Sequence, residues 1–120
     1  MEIRVDWSRN AGVLVAKPLG RIYSADHLEW QSALESGIGP DERALVVDFR
    51  EVPYLSSAGL RVLLMTAKRF RRPGQGFAIC QLRRTVRKVL AASGFDGVIP
   101  VYESEASAVA AINGEDGPAG

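Results

Sequence analysis

The chain has one cysteine, Cys80, and one histidine, His27. A lone cysteine excludes an intrachain disulfide and fits a reducing compartment. No metal site can be built from it, and His27 has no Cys or acidic partner at ligand spacing. Cys80 ends an apolar run and reads as a small buried hydrophobe. His27 shares a helical face with Trp30 and Leu34 and reads as a packed or partly exposed side chain.

No apolar run approaches the roughly 20 residues that cross a bilayer, and Met1-Glu2-Ile3-Arg4 lacks the basic-then-apolar start of a signal peptide. A cytoplasmic protein without membrane insertion is therefore expected. Missing too is a glycine-rich loop with a lysine to cradle nucleotide phosphates. Leu55-Ser56-Ser57-Ala58-Gly59 lacks the first glycine of a nucleophile elbow, and no activating base is in view. These absences assign no catalytic residue, imply no cofactor and lead to the expectation of a non-enzyme.

Acidic residues are absent between Glu51 and Asp96, where Arg61, Lys68, Arg69, Arg71, Arg72, Arg83, Arg84, Arg87 and Lys88 all lie. Such clustering is most often a solvated face, and it is also what an acidic protein surface would seek. With no recognition motif and no interleaved aromatics, direct nucleic-acid binding is not expected.

What is present is one domain's worth of alternating elements. A chain of 120 residues with 47% hydrophobic and 24% charged residues buries one sheet-and-helix core. Ile3–Trp7 alternates apolar and polar residues, Asn10-Ala11-Gly12 supplies a turn, and Val13–Ala16 begins a second strand of an antiparallel hairpin closed off by Pro18 and Gly20. Ser24 is a candidate N-cap for a helix to about Ser36, with Trp30, Leu34 and Ile38 on one face. Ala44–Phe49 is a continuous apolar strand of the kind buried on both sides, and so central.

A second helix after Pro53 carries Leu60, Leu63, Leu64, Ala67 and Phe70 inward at three- and four-residue spacing. Arg72–Gly76 turns into the strand Phe77–Cys80, Val86, Val89 and Leu90 mark a third helix, and Val98–Val101 is a short fifth strand. Ser104 caps a last helix with Val109 and Ile112. The domain is expected over 1–113, followed by a flexible Gly- and acid-rich C-terminal tail over 114–120. The fold class is α/β (α+β): an N-terminal β-hairpin joined to a mixed sheet of about five strands with about four helices.

The segment Val46-Val47-Asp48-Phe49-Arg50-Glu51-Val52-Pro53-Tyr54-Leu55-Ser56-Ser57-Ala58-Gly59-Leu60 closely resembles the STAS family, in which an apolar strand leads through a short loop into a Ser-Gly-Leu helix start. Gly20-Arg21-Ile22, Phe77–Cys80 and Val86–Phe95 match in order, so the likeness runs from about Ile3 to Ile112. It departs from the pattern at Ser56, where many members are acidic, at Tyr23, where Asp is common, and at Arg83-Arg84, where a Ser-Pro cap is usual.

The resemblance implies a free-standing bacterial anti-sigma factor antagonist. Its unphosphorylated form would bind an anti-sigma factor with serine-kinase activity and free a sigma factor. Phosphorylation of the serine two before the glycine, Ser57, would switch it off, and a serine phosphatase would reverse the mark. Ser56, adjacent and chemically equivalent, is the alternative acceptor. A cytosolic STAS subunit of a membrane transport complex, not phosphorylated, is the alternative function. The partner-binding set expected from the helix start and its outward side is Ser56, Ser57, Ala58, Gly59, Arg61, Val62, Met65 and Arg69: an apolar centre of Val62 and Met65 with basic flanks.

Overall fold

A computed structural model describes residues 3–114. Gly114 apart, the tail expected over 114–120 lies outside the described residues. β1 (Arg4–Asn10) and β2 (Val13–Leu19) pair antiparallel across the two-residue turn Ala11-Gly12. Both turn residues have positive φ, 49° and 84°, which matches the hairpin twist to that of the strands.

Pro18 does not end β2 as the sequence suggests. It stands opposite Val5, while pairing of β2 with its other neighbour stops at Ala16. Counted from the two-residue turn, Val5 and Pro18 form a pair that exchanges no ladder bonds, so the missing N–H costs nothing there.

β3 (Ala44–Asp48), β4 (Gly76–Cys80) and β5 (Val101–Tyr102) complete a sheet of order β1-β2-β3-β4-β5, and β2-β3, β3-β4 and β4-β5 are all parallel. The sheet is thus mixed, with β3 central and buried along its whole length. β5 begins later than the apolar run Val98–Val101 suggests. Val98 is 55% exposed and its N–H turns back to the Phe95 carbonyl, while Pro100, without an N–H, only accepts from Ile79.

Four helices cover the sheet: α1 (His27–Ser36), α2 (Ser57–Ala67), α3 (Arg84–Ala92) and α4 (Glu105–Ile112). The two-residue period of the strands divides the core. Leu14, Ala16, Leu45, Val47, Phe77 and Ile79 face one side and pack with Trp30, Leu34, Leu60, Leu63, Val86 and Leu90. Val13, Val15, Ala44, Val46, Ala78 and Cys80 face the other and meet Ala108 and Val109 of α4. Helices on both faces explain why Ala44–Val47 is apolar without interruption.

Cys80 is fully buried in this second cluster. Burial pushes its thiol up to about 12, with the neighbouring Asp48 carboxylate adding to the rise. The folded pKa thus lies above the ordinary 9.0, so this contribution to stability is present below pH 9 and is lost as pH climbs toward 12. Iodoacetamide labelling of Cys80 at pH 8, followed by mass spectrometry, should proceed only at the rate of global unfolding. Rapid labelling of the native chain would place the thiol at the surface.

Helix starts differ in how they are capped. Ser24 is not the N-cap of α1: residues 24–26 form a 3-10 turn, and the Asp26 carboxylate accepts the Tyr23 N–H at 3.0 Å. The longer charged side chain reaches back where the serine hydroxyl was expected to cap. α3 has Arg83 at its N-cap position and no side-chain cap, in keeping with the absence of a capping residue there. Instead Thr85 Oγ1 donates to the Pro53 carbonyl and Arg83 Nε to the Arg50 carbonyl, tying α3 to the loop after β3. At α4, the Ser104 hydroxyl accepts the Ser107 N–H at 3.0 Å, as expected of a capping serine.

Candidate functional site

Two loops leave the same end of the sheet, one after β2 and one after β3, and hydrogen bonds lock them together. Gly20 N–H donates to the Glu51 carbonyl at 3.0 Å and Ile22 N–H to the Tyr54 carbonyl at 2.9 Å. Ser56 N–H then donates to the Ile22 carbonyl at 2.9 Å, and Ile22 and Leu55 form a parallel bridge. The start of α2 is therefore fixed by backbone bonds rather than by loop side chains.

The two serines at this start have different jobs. Ser56 is the N-cap, 3% exposed, with its hydroxyl accepting the Gly59 N–H at 3.1 Å. Ser57 is the first residue of the helix and is exposed. Of the first-turn donors, Ser56 N–H and Gly59 N–H have partners, which leaves those of Ser57 and Ala58 to water or to an anion.

Gly59 lies beneath them. A Cβ there would stand 2.7 Å from Leu55 Cδ1 and 3.1 Å from Ile22 Cγ2, and its carbonyl accepts the indole N–H of Trp30 at 3.0 Å. The glycine is needed for close packing, since its backbone is ordinary helix.

The structure corrects the outward side of α2. Val62, expected at the surface, is 4% exposed and belongs to the core cluster with Trp30 and Leu34. The reason is that α1 packs along the flank of α2, so α2 buries two sides where a single inward stripe was read. Leu64 and Ala67, assigned to the inner stripe, are only half-buried, while Leu60, Leu63 and Phe70 are buried. Met65 does face solvent, 52% exposed, and Ser57, Arg61, Met65 and Lys68 follow one another along the exposed side at helical spacing.

Ala58 is half-buried at the α1–α2 cleft, a hollow of about 210 Å³ lined by His27, Gln31, Ala58, Arg61, Val62 and Met65. His27 is exposed there and its Nδ1 lies 2.9 Å from the Ser24 carbonyl. Arg69 is not brought to this surface. It lies past the end of α2, about 18 Å along the axis from Ser57 at roughly 1.5 Å per residue, beside Pro40 and Glu42.

Sequence reasoning missed an aromatic pair. Tyr23 and Tyr54 flank the helix start with ring centroids 5.5 Å apart, 49% and 37% exposed, and Leu28 on α1 is 68% exposed. No linear signal joins Tyr23 to Tyr54; the Ile22–Leu55 bridge does. The exposed side of α2 that starts at Ser57 thus continues through Arg61 and Met65, with the tyrosine pair on the two loops bridged at the helix start and the α1–α2 cleft lined from the next residue, Ala58. Such a surface suits a partner that inserts one or two side chains and excludes water around them.

Residues 4–108 match the family described as STAS domain. The chain is 37% identical over 101 residues, 84% of its length, to the candidate anti-sigma factor antagonist BtrV of Bordetella bronchiseptica, covering 87% of that protein. It is 23% identical over 112 residues, 91% of its length, to the anti-sigma F factor antagonist of Paenibacillus polymyxa, covering 94% of it. Its fold superposes with a TM-score of 0.83 on the crystal structure of an anti-sigma factor antagonist from Mycobacterium paratuberculosis, at 24% identity over 93% of this chain and 95% of that one.

Proposed function

The chain belongs to the STAS domain family, and we propose that within it the protein acts as an anti-sigma factor antagonist, switched by phosphorylation of Ser57. In this reading it is a binding protein without catalytic residues. The unmodified surface around Ser57 engages an anti-sigma factor with serine-kinase activity, which releases a sigma factor. The kinase then modifies Ser57, and a serine phosphatase restores the binding form.

The observation that carries the proposal is the division of labour at the head of α2. Ser56 is buried and commits its hydroxyl to the Gly59 N–H, whereas Ser57, the first residue of α2, is exposed, with the exposed Arg61 one turn further along the same side. A kinase reaches Ser57 without opening the fold. A phosphate on it meets the free N–H groups of Ser57 and Ala58 and the positive end of the helix dipole, so the domain tolerates the modification. A partner packed there does not, because the dianion must be desolvated against its surface. The transport-complex reading is not adopted: the relative sharing 37% identity over 84% of the chain carries the antagonist name.

Affinity purification of the tagged full chain, with bound proteins identified by mass spectrometry, tests the role. Recovery of an anti-sigma kinase is the expected result, and recovery of a transporter ATPase in its place would overturn it. The surface is tested separately. Met65→Asp should weaken that partner at least about tenfold while leaving the circular dichroism spectrum unchanged, since Met65 is half out in solvent. Val62→Asp, by contrast, places a carboxylate in the core and should unfold the domain or cost about 3 kcal/mol or more. Equal binding by wild type and Met65→Asp would move the interface off this side of α2.

A further inference from the structure

A sizeable cavity lies away from Ser57, at the other end of α2. It measures about 520 Å³ and sits between the second half of α2, the 3-10 turn that follows, the start of β4 and the loop before β5. That size is within the range of small-molecule sites, roughly 300–1,000 Å³. Its walls are Leu64, Phe70, Phe77, Phe95 and Pro100, with Phe70 and Phe77 stacked at 6.2 Å. Gln75 is the only uncharged side chain in the lining with an amide or hydroxyl to offer.

Around these walls stand three cations, Arg61, Lys68 and Arg71, and no acidic residue. The ion pairs among the described residues are Arg4–Asp6 and Arg9–Glu42, so none of the three is neutralised there. Lys68 follows the last residue of α2, where a cation offsets the carbonyl end of the helix. Arg61 stands more than one turn before that end and Arg71 lies beyond the 3-10 turn, so the helix dipole accounts for neither. Three unpaired cations over an aromatic hollow are complementary to one kind of occupant.

We propose that this cavity binds a small amphipathic carboxylate, with an aliphatic body lying against Phe70, Phe77 and Phe95 and its head held by Arg61, Lys68 or Arg71. A sugar or nucleobase would lose its hydrogen bonds in so apolar a lining, whereas an alkyl chain loses none. The site is separate from the Ser57 surface, apart from Arg61 and Met65 at the boundary between them. It therefore does not depend on the antagonist reading.

Decanoate, added to the purified full chain and followed by calorimetry and amide NMR, is the probe. Saturable one-to-one binding is expected, with the shifted amides clustered at Gly76, Phe95 and Val98. The triple variant Arg61→Gln, Lys68→Gln, Arg71→Gln alters only exposed side chains and should bind decanoate at least tenfold more weakly, while 1-decanol should not distinguish it from wild type. Ser57→Asp should bind decanoate as wild type does, whatever it does to the protein partner. Absence of saturable binding, equal decanoate affinity in the triple variant, or shifts confined to the head of α2 would each overturn the proposal. So would co-sedimentation with phosphatidylglycerol vesicles without decanoate binding, which would assign the cations to a membrane surface.

Discussion

Phosphorylation at Ser57 is expected to lower the affinity of the chain for its anti-sigma partner by roughly 100-fold, about 2.8 kcal/mol, without shifting its melting temperature downward. The asymmetry follows from where the charge sits. Within the free domain, the phosphate faces solvent and gains from the Ser57 and Ala58 N–H groups and the helix dipole. Within a complex, the same dianion is enclosed beside Tyr23, Tyr54 and Met65, an apolar surface that returns little of its lost hydration.

Three variants separate the contributions. Ser57→Ala should block phosphate incorporation and keep partner binding. Ser57→Asp should weaken binding less than the phosphate does, with one charge and fewer acceptor oxygens. Ser56→Ala should still be phosphorylated but lose about 1–2 kcal/mol of stability with the cap to the Gly59 N–H. Peptide mass spectrometry that located the phosphate on Ser56 would contradict the assignment, because that hydroxyl is buried and engaged.

The second large effect is on folding. Gly59→Val should destabilise the domain by about 2–3 kcal/mol, a fall of roughly 10 °C in Tm. Its Cβ would press on Leu55 Cδ1 at 2.7 Å and Ile22 Cγ2 at 3.1 Å, and both side chains are fully buried. They belong to the two loops that are bridged at the helix start, so any shift is passed to the backbone bonds that hold Ser56 and Ser57. The β-branched side chain adds crowding against the preceding turn.

Gly59→Ala is the informative comparison. Alanine gains about 1 kcal/mol of helix propensity and adds one methyl to a filled space, so the two effects nearly cancel. Calorimetric melting of both variants decides the matter. A Gly59→Val midpoint within about 2 °C of wild type would mean that the core at Ile22 and Leu55 yields easily.

How much could be read in advance differed from element to element, for physical reasons. The hairpin, the central strand and the inward positions Leu60, Leu63, Val86 and Leu90 were legible because strand and helix periods are imposed by local geometry. Ala44–Phe49 announced a sheet covered on both faces because no polar residue interrupts its first four positions. The Ser-Ser-Ala-Gly start of α2 carried its capping chemistry and, through resemblance, its family.

Other features belong to no single segment. Which serine caps and which is exposed was settled by the bond from Ser56 N–H to Ile22, a residue in a different loop. The burial of Val62 comes from α1 packing on the flank of α2, and a helix period reports one stripe without naming how many neighbours will cover it. Tyr23 and Tyr54 meet through the Ile22–Leu55 bridge, and Phe77 and Phe95 share a cavity because β5 pairs with β4 and brings the segment before it alongside. The sequence by itself determined the order of the elements, the main inward stripes such as Leu60, Leu63, Val86 and Leu90, and the presence of a capping serine at the head of α2, since these rest on contacts within a few residues. Only the tertiary structure decided which surface surrounds Ser57 and where the cavity opens, since those depend on contacts between residues far apart in the chain.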